Sequence, residues 1–198
     1  MKLSAQITRE INLAGLTPIL FNRYSGDNKT QLAVNDKLYL DNNYLVLPSL
    51  NIMSFLSSQN TECAPQRVIG RGYKEVAKAA LSFVTISPFK IPFLVDGKKI
   101  TLEEANIEIH YAVGRLMKGK LTVPIPLVRP MLHLPWALKF TLKLLETPEL
   151  NENLLRKIFE QGGLAIGLGN FRGVFGKFEI TSWEEGEKSK KIEKQIRA

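Results

Sequence analysis

The stretch Gly162–Ile180, GGLAIGLGNFRGVFGKFEI, sets six glycines, at 162, 163, 167, 169, 173 and 176, beside Asn170, Phe171, Arg172 and Lys177. Glycines let a polymer backbone come close and let main-chain N–H groups aim at an anion. Phe171 has the ring to stack a base, and Arg172 the planar fork to pair with phosphate. A tight exposed turn between a helix and an edge strand fits the same spacing, because glycines gather in turns. A nucleotide-cofactor fingerprint does not fit. It needs strand, glycine loop and helix in that order, so that phosphate meets a helix N-terminus. Here the order is helix, loop, strand, Gly167-x-Gly169 lacks a third glycine at the required spacing, and no Walker lysine signature is present.

Two further stretches offer contacts to a polyanion. RVIGRGYKEVAK places Arg67, Arg71, Lys74 and Lys78 against the single acid Glu75, with Gly70 and Gly72 around Arg71 and Tyr73 close by. Such a basic, glycine-broken, aromatic-bearing segment suits phosphate and base contacts, and equally a solvated loop entering a helix. From Ile109 to Leu145 there is no acid, while Arg115, Lys118, Lys120, Arg129, Lys139 and Lys143 supply positive charge.

Residues for catalysis are sparse. His110 and His133 are the only histidines, Cys63 is the only cysteine, and together they make no zinc set. No disulfide framework is possible, and a reducing compartment fits. Asp27, Asp36 and Asp41 read as loop and turn formers. If any residue is catalytic it is Asp36 or His110, the latter next to Tyr111. No cofactor and no metal is expected.

The elements that must hold these residues can be read in order. Leu3, Ala5, Ile7, Ile11 and Leu13 alternate with polar residues, a half-buried strand over 2–13, with Arg9 breaking the apolar register. Residues 22–36 read as a polar loop, and 37–47 as extended pieces around Asp41-Asn42-Asn43. Pro48 and Ser49 open a helix over 49–58 with Ile52, Phe55 and Leu56 on one side. Ala80–Ile86 and Ile91–Val95 are apolar strand candidates, and Leu102–Ala105 a brief helix. HYAVGRLMKGKLTVPIPLVRPML predicts a hairpin turning at Lys118-Gly119-Lys120, its return arm confined to an edge by Pro124, Pro126 and Pro130. Residues 136–145 alternate as a strand. Thr147 as N-cap and Pro148 at the first position start a helix over 148–161, which Gly162 and Gly163 end. A strand follows over 174–183.

The chain has 198 residues and a net charge of +8. Its tail, 184–198, carries only one net positive charge, so the excess belongs to the remainder and favours a polyanionic partner. The N-terminus lacks the apolar block of a signal peptide, and no run reaches membrane-helix length, so a cytoplasmic protein is expected, with no membrane partner. The order of elements predicts an α+β, ferredoxin-like or RRM-like antiparallel sheet with two helices. The expected organisation is a single domain, 1–183, with insertions at 59–105 and 106–132, and a charged tail at 184–198.

Three stretches then resemble the RAMP superfamily of CRISPR-associated RNA-binding proteins. IGLGNFRGVFGKFEI is similar to the family's glycine-rich loop followed by a strand. LYLDNNYLVLPSLNIMSFLSS resembles its proline-started helix, and HLPWALKFTLKLLE its sheet-centre strand. The family's helix begins Pro-Gly-Ser-Ser with a basic residue on the next turn; here Pro48-Ser49-Leu50-Asn51 leads to Met53 and Ser54, and the basic contact is missing. The likeness is greatest to the repeating backbone subunits of CRISPR effector complexes. It implies copies lined up along a guide RNA (crRNA) beside other effector subunits, a hairpin at 109–131 serving as a thumb, and a target nucleic acid read by base pairing. It adds Ser49 and Asn51 to the RNA-binding candidates Arg67, Arg71, Lys74, Arg115, Lys118, Arg129, Gly167, Gly169, Asn170, Phe171, Arg172 and Lys177. Relatives of the superfamily cleave RNA, so an endoribonuclease using Asp36, His110 or His133 is the first alternative. A general single-strand nucleic-acid-binding or protein-binding subunit is the second.

Overall fold

Alternation makes β1 (Gln6–Gly15) a half-buried strand, with Ile11 and Leu13 fully buried on one face. In chain order there follow β2 (Ile19–Leu20), a 3-10 turn (Asn35–Lys37), β3 (Leu40–Asp41), β4 (Tyr44–Pro48), α1 (Ser49–Ser57), α2 (Ala64–Ile69) and α3 (Tyr73–Phe83). Then come β5 (Val84–Ser87), β6 (Lys90–Val95), β7 (Lys98–Lys99), β8 (Ile107–Lys118), β9 (Leu121–Leu132), β10 (Ala137–Leu145), α4 (Glu152–Ala165) and β11 (Phe178–Glu185). The computed structural model describes residues 6–27, 30, 32–57, 62–118 and 121–186. The expected strand start before Gln6, residues 58–61, the hairpin turn at 119–120 and the tail from 187 onward lie outside them.

β1 sits at the centre, antiparallel to β10 on one side and to β11 on the other. The far edge of β10 takes β5 at Leu142↔Ile86 and β6 at Leu138↔Phe93. Read as one interrupted strand, β5–β6 completes a ferredoxin-like order in which the fourth, first, third and second strands lie side by side. The fold is α+β, as the sequence predicts. The second strand is not where the alternation placed it, however. Residues 37–47 form a 3-10 turn, the two-residue β3 and the start of β4, and β4 lies outside β6. Ala80–Phe83 belong to α3, and the strand begins at Val84. Residues 102–105 form a turn whose Thr101 N–H donates to Glu104 (2.9 Å), with no helix.

The helices cover one face. Ile52, Phe55 and Leu56 of α1 and Leu155, Ile158 and Phe159 of α4 join Ile11, Leu13, Phe140 and Leu142 in a single buried cluster. Phe55 has Phe159 and Phe178 each at 5.5 Å between ring centroids. The opposite face of the two central strands is polar: Thr8, Glu10 and Asn12 lie beside Lys139, Thr141 and Lys143, and Lys139 pairs with Glu10 at 3.3 Å. None of these six is aromatic, so this surface lacks the stacking platform of an RNA-recognition sheet.

α4 starts four residues later than its capping pattern suggests. Asn151, whose Oδ1 accepts from Leu154 N at 2.9 Å, is the N-cap, while Thr147 closes a preceding turn through Leu150 N. Gly162 and Gly163 do not end it either. Both are buried within the helix, and a Cβ on Gly162 would lie 2.9 Å from Phe55 Cζ and against Ala64. Gly162 lets α4 approach α1 and α2, and Gly163 lets it approach Phe178 of β11.

The hairpin forms as predicted, paired from Ile107↔Leu132 to Lys118↔Leu121. Pro124, Pro126 and Pro130 share one parity of β9, and Pro130 O accepts from Phe21 N (3.0 Å) on the edge away from β8. The missing proline N–H groups therefore fall where β8 needs none. At its base β9 pairs with β2.

Candidate nucleic-acid interface

The glycine loop is a folded object clamped between α1 and β2. The amides of Ile166 and Gly167 both donate to Gly162 O (2.7 and 3.2 Å), and Gly167, at φ +76°, is the left-handed residue that stops α4. Leu168 N reaches Gly176 O at 2.8 Å, closing the loop on itself. Gly169 N donates to Asn51 Oδ1 (2.9 Å) and Asn170 N to Leu20 O (2.8 Å), tying it to α1 and β2. A Cβ on Gly169 would lie 2.6 Å from Ile19 Cγ1 and 2.7 Å from Leu20 O. This glycine serves the packing of the loop against β2; the room it leaves is filled by protein, not offered to a polymer.

Between the loop and α1 lies a cavity of about 510 Å³, lined by Asn51, Ser54, Glu62, Ile166, Gly169, Asn170, Phe171 and Arg172. Phe171 is held at φ +55°, a region a bulky residue rarely occupies, with 57% of its surface exposed. Its ring lies 6.2 Å from that of Phe175, which meets His110 of the hairpin edge-on at 5.2 Å. Arg172 Nη1 donates to Ser54 O at 3.2 Å, and burial pulls its pKa below the ordinary guanidinium value. A cation desolvated in this way gains more from an anion than one in open water. Asn170 Oδ1 is buried with no hydrogen-bond partner. A polar hollow that sets the Arg172 guanidinium beside an exposed ring, with its one carboxylate, Glu62, held by Arg67, can hold one unit of a strand, phosphate at the guanidinium and base against the ring.

Of the predicted residues, the structure thus brings together Asn51, Gly169, Asn170, Phe171 and Arg172, with Gly167 supporting them. Ser49 is only 6% exposed; its N–H donates to Phe89 O (2.7 Å). Lys177 sits where the loop enters β11, its N–H on Thr17 Oγ1 (2.9 Å). Arg67, Arg71 and Lys74 are exposed on α2, the turn after it and the start of α3. Arg67 is paired with Glu62 at 2.8 and 2.6 Å, which connects this stretch to the cavity wall. Arg115 and Lys118 lie far out along β8, and Arg129 faces His110 across the hairpin, half-buried, with its pKa lowered by burial. Asp36 is exposed in the 3-10 turn, beside Lys37, whose Nζ reaches Val128 O of β9 at 2.5 Å. His133 contacts Glu108 at 2.7 Å. Among the described residues no group of three His, Cys, Asp or Glu is placed to hold a metal ion. No helix among them is long and apolar enough to cross a membrane. Sequence reasoning missed Ser54 and Glu62, whose only signal was helical spacing from Asn51 and adjacency to the basic stretch.

The fold and cavity define an α+β protein with a polar groove, lined by Arg172 and Glu62, at one end of its helical layer. No family profile and no curated protein matches the chain. Among solved structures, a chain of the Type III-B Cmr-beta bound to cognate target RNA, determined by cryo-EM, is similar with a TM-score of 0.49 and 12% identity. The alignment covers 90% of this chain and 60% of that one, so this chain spans 60% of the length of that neighbour.

Proposed function

We propose that this chain is an RNA-binding subunit that grips a single strand between its glycine loop and α1. The observation behind this is Phe171, an exposed ring held in a strained backbone conformation at the mouth of a cavity walled by Asn51, Asn170 and half-buried Arg172. The net charge of +8 supports a polyanionic partner. The sequence resemblance to the RAMP superfamily supports reading that strand as a guide RNA within a CRISPR ribonucleoprotein, along which copies of the chain assemble beside other effector subunits. In this role the chain holds RNA without cutting it, and pairing with the target reads sequence.

The test is the nucleic acid that co-purifies at low salt, followed by titration of the stripped protein with single-stranded RNA. An RNA ladder with even length steps is expected. Phe171→Ala is expected to weaken binding by roughly tenfold, in the range of a lost base–aromatic stack. Arg172→Ala is expected to reduce the slope of log affinity against log salt by about one, as for a lost phosphate contact. Wild-type affinity and slope in both variants would defeat the proposal. Cleavage of bound RNA that disappears in Asp36→Ala or His110→Ala would replace it with the endoribonuclease alternative.

A further inference from the structure

The glycine-loop cavity has a neighbour. A second hollow of about 530 Å³ adjoins it along α1, and the two share Asn51 and Ser54 as a common wall. Its floor is apolar, formed by Val46 and Pro48. Above the floor stand Phe89, with 59% of its surface exposed, and Leu50, with 61%. Arg23 and Lys90 line it as well, Arg23 close enough to Tyr39 to act on its hydroxyl and Lys90 paired with Asp41 at 2.7 Å. Two large apolar groups standing in solvent with cations beside them are arranged as a slot with a charged lip. Burial of such surface by a planar ring is favourable, and the cations suit the phosphate attached to it.

Resting on the RNA-binding reading, we propose that this hollow is a second subsite for the same strand, taking a nucleobase against Phe89 and Leu50 with its phosphate at Arg23 and Lys90. Asn51 and Ser54 line both hollows, so one layer of side chains separates them. The shared wall places the two subsites next to each other for neighbouring nucleotides of one strand, one at Phe171 and the next at Phe89. The backbone supports the geometry. Phe89 lies in the break between β5 and β6, and its carbonyl accepts the Ser49 N–H that opens α1. The interruption of the strand thus presents the ring at the helix start. Each hollow then takes a base against its ring and a phosphate at its cations.

Two probes separate these roles: a labelled twelve-nucleotide oligouridine and an abasic twelve-unit ribose-phosphate strand, each titrated by fluorescence anisotropy. Wild-type protein is expected to prefer oligouridine, and Phe89→Ala to reduce that preference by about fivefold or more with little change in salt slope. Arg23→Ala is expected to weaken both probes and lower the slope by about one. In wild type, crosslinking with 4-thiouridine RNA is expected to mark the peptide containing Phe89, a readout independent of any variant's folding. Loss of affinity in Phe171→Ala but not in Phe89→Ala, with no crosslink at Phe89, would overturn the subsite and leave the glycine-loop site standing. No RNA affinity in wild type would overturn the underlying function instead. A Phe89→Ala protein that binds RNA normally but loses self-association would assign the hollow to a contact between copies, and so overturn the subsite too.

Discussion

Arg9 occupies the apolar register of β1, the one residue there that the alternation cannot accommodate. Its guanidinium forks onto Glu152 in the first turn of α4, with Nε and Nη2 at 2.5 and 2.9 Å from the two carboxylate oxygens. Trp183 Nε1 of β11 donates to the same carboxylate at 2.8 Å. A pattern error in one strand is thus the charged joint of three elements, and only the long-range partner explains it. The hydrogen bond from Arg9 holds the Glu152 carboxyl below its ordinary pKa, against the opposing effect of burial. A depressed carboxylate stabilises the fold at pH above its unfolded value and loses that contribution as pH falls through the folded one. Glu152→Gln is therefore expected to cost about 2 kcal/mol at pH 7. The gap to wild type should close as the pH drops below roughly 4. Urea unfolding at pH 7 and pH 3 checks this; an equal gap at both would refute it. Glycines gave the opposite lesson. Their spacing marked the loop, but what fills the space beside Gly162 or Gly169 depends on Ala64, Phe55, Ile19 and Leu20, which lie far away in sequence.

At the scale of elements, legibility followed the regularity of the signal. The hairpin was readable because its pairing is local and its prolines have a single allowed edge. β10 was readable because its alternation is unbroken over nine residues. The second strand of the ferredoxin-like order was readable only as two pieces, Ala80–Ile86 and Ile91–Val95, since Pro88 and Phe89 split it into β5 and β6, while 37–47 supplied a competing run. The same break presents Phe89 at the surface, so the candidate site was hidden by the feature that builds it. Arg23, Tyr39 and Leu50 escaped for a related reason: they come from a loop, a strand edge and a helix start that meet only in the fold. The contact of α4 with α2 gives a separate prediction. Gly162→Val is expected to destabilise the protein by about 2 kcal/mol or more, because two branched methyls would press on Ala64 and Phe55. Gly173→Ala, where the nearest atom to a Cβ is Ala165 O at 4.0 Å, should cost less, its penalty confined to the positive φ of +92°. Chemical denaturation of both variants measures the difference, and an equal loss would contradict the packing role.

For the molecule as a whole, the proposed grip lies at one end of the helical layer, while the open sheet's two central strands carry polar residues in place of rings. The hairpin is bound to that end twice, through His110 against Phe175 and through β2. β2 has both edges in use: Phe21 N reaches Pro130 O of the hairpin at 3.0 Å, and Leu20 O receives Asn170 N of the loop at 2.8 Å. The amides of Phe21 and Asn170 are therefore expected to exchange with solvent in a single opening event, at similar protection and in step when the hairpin is destabilised. Independent exchange would show that the two ends work separately. A segment of three residues shared in this way is a hinge pin common to the hairpin base and the loop that carries Phe171, so a shift of either is expected to be felt by the other.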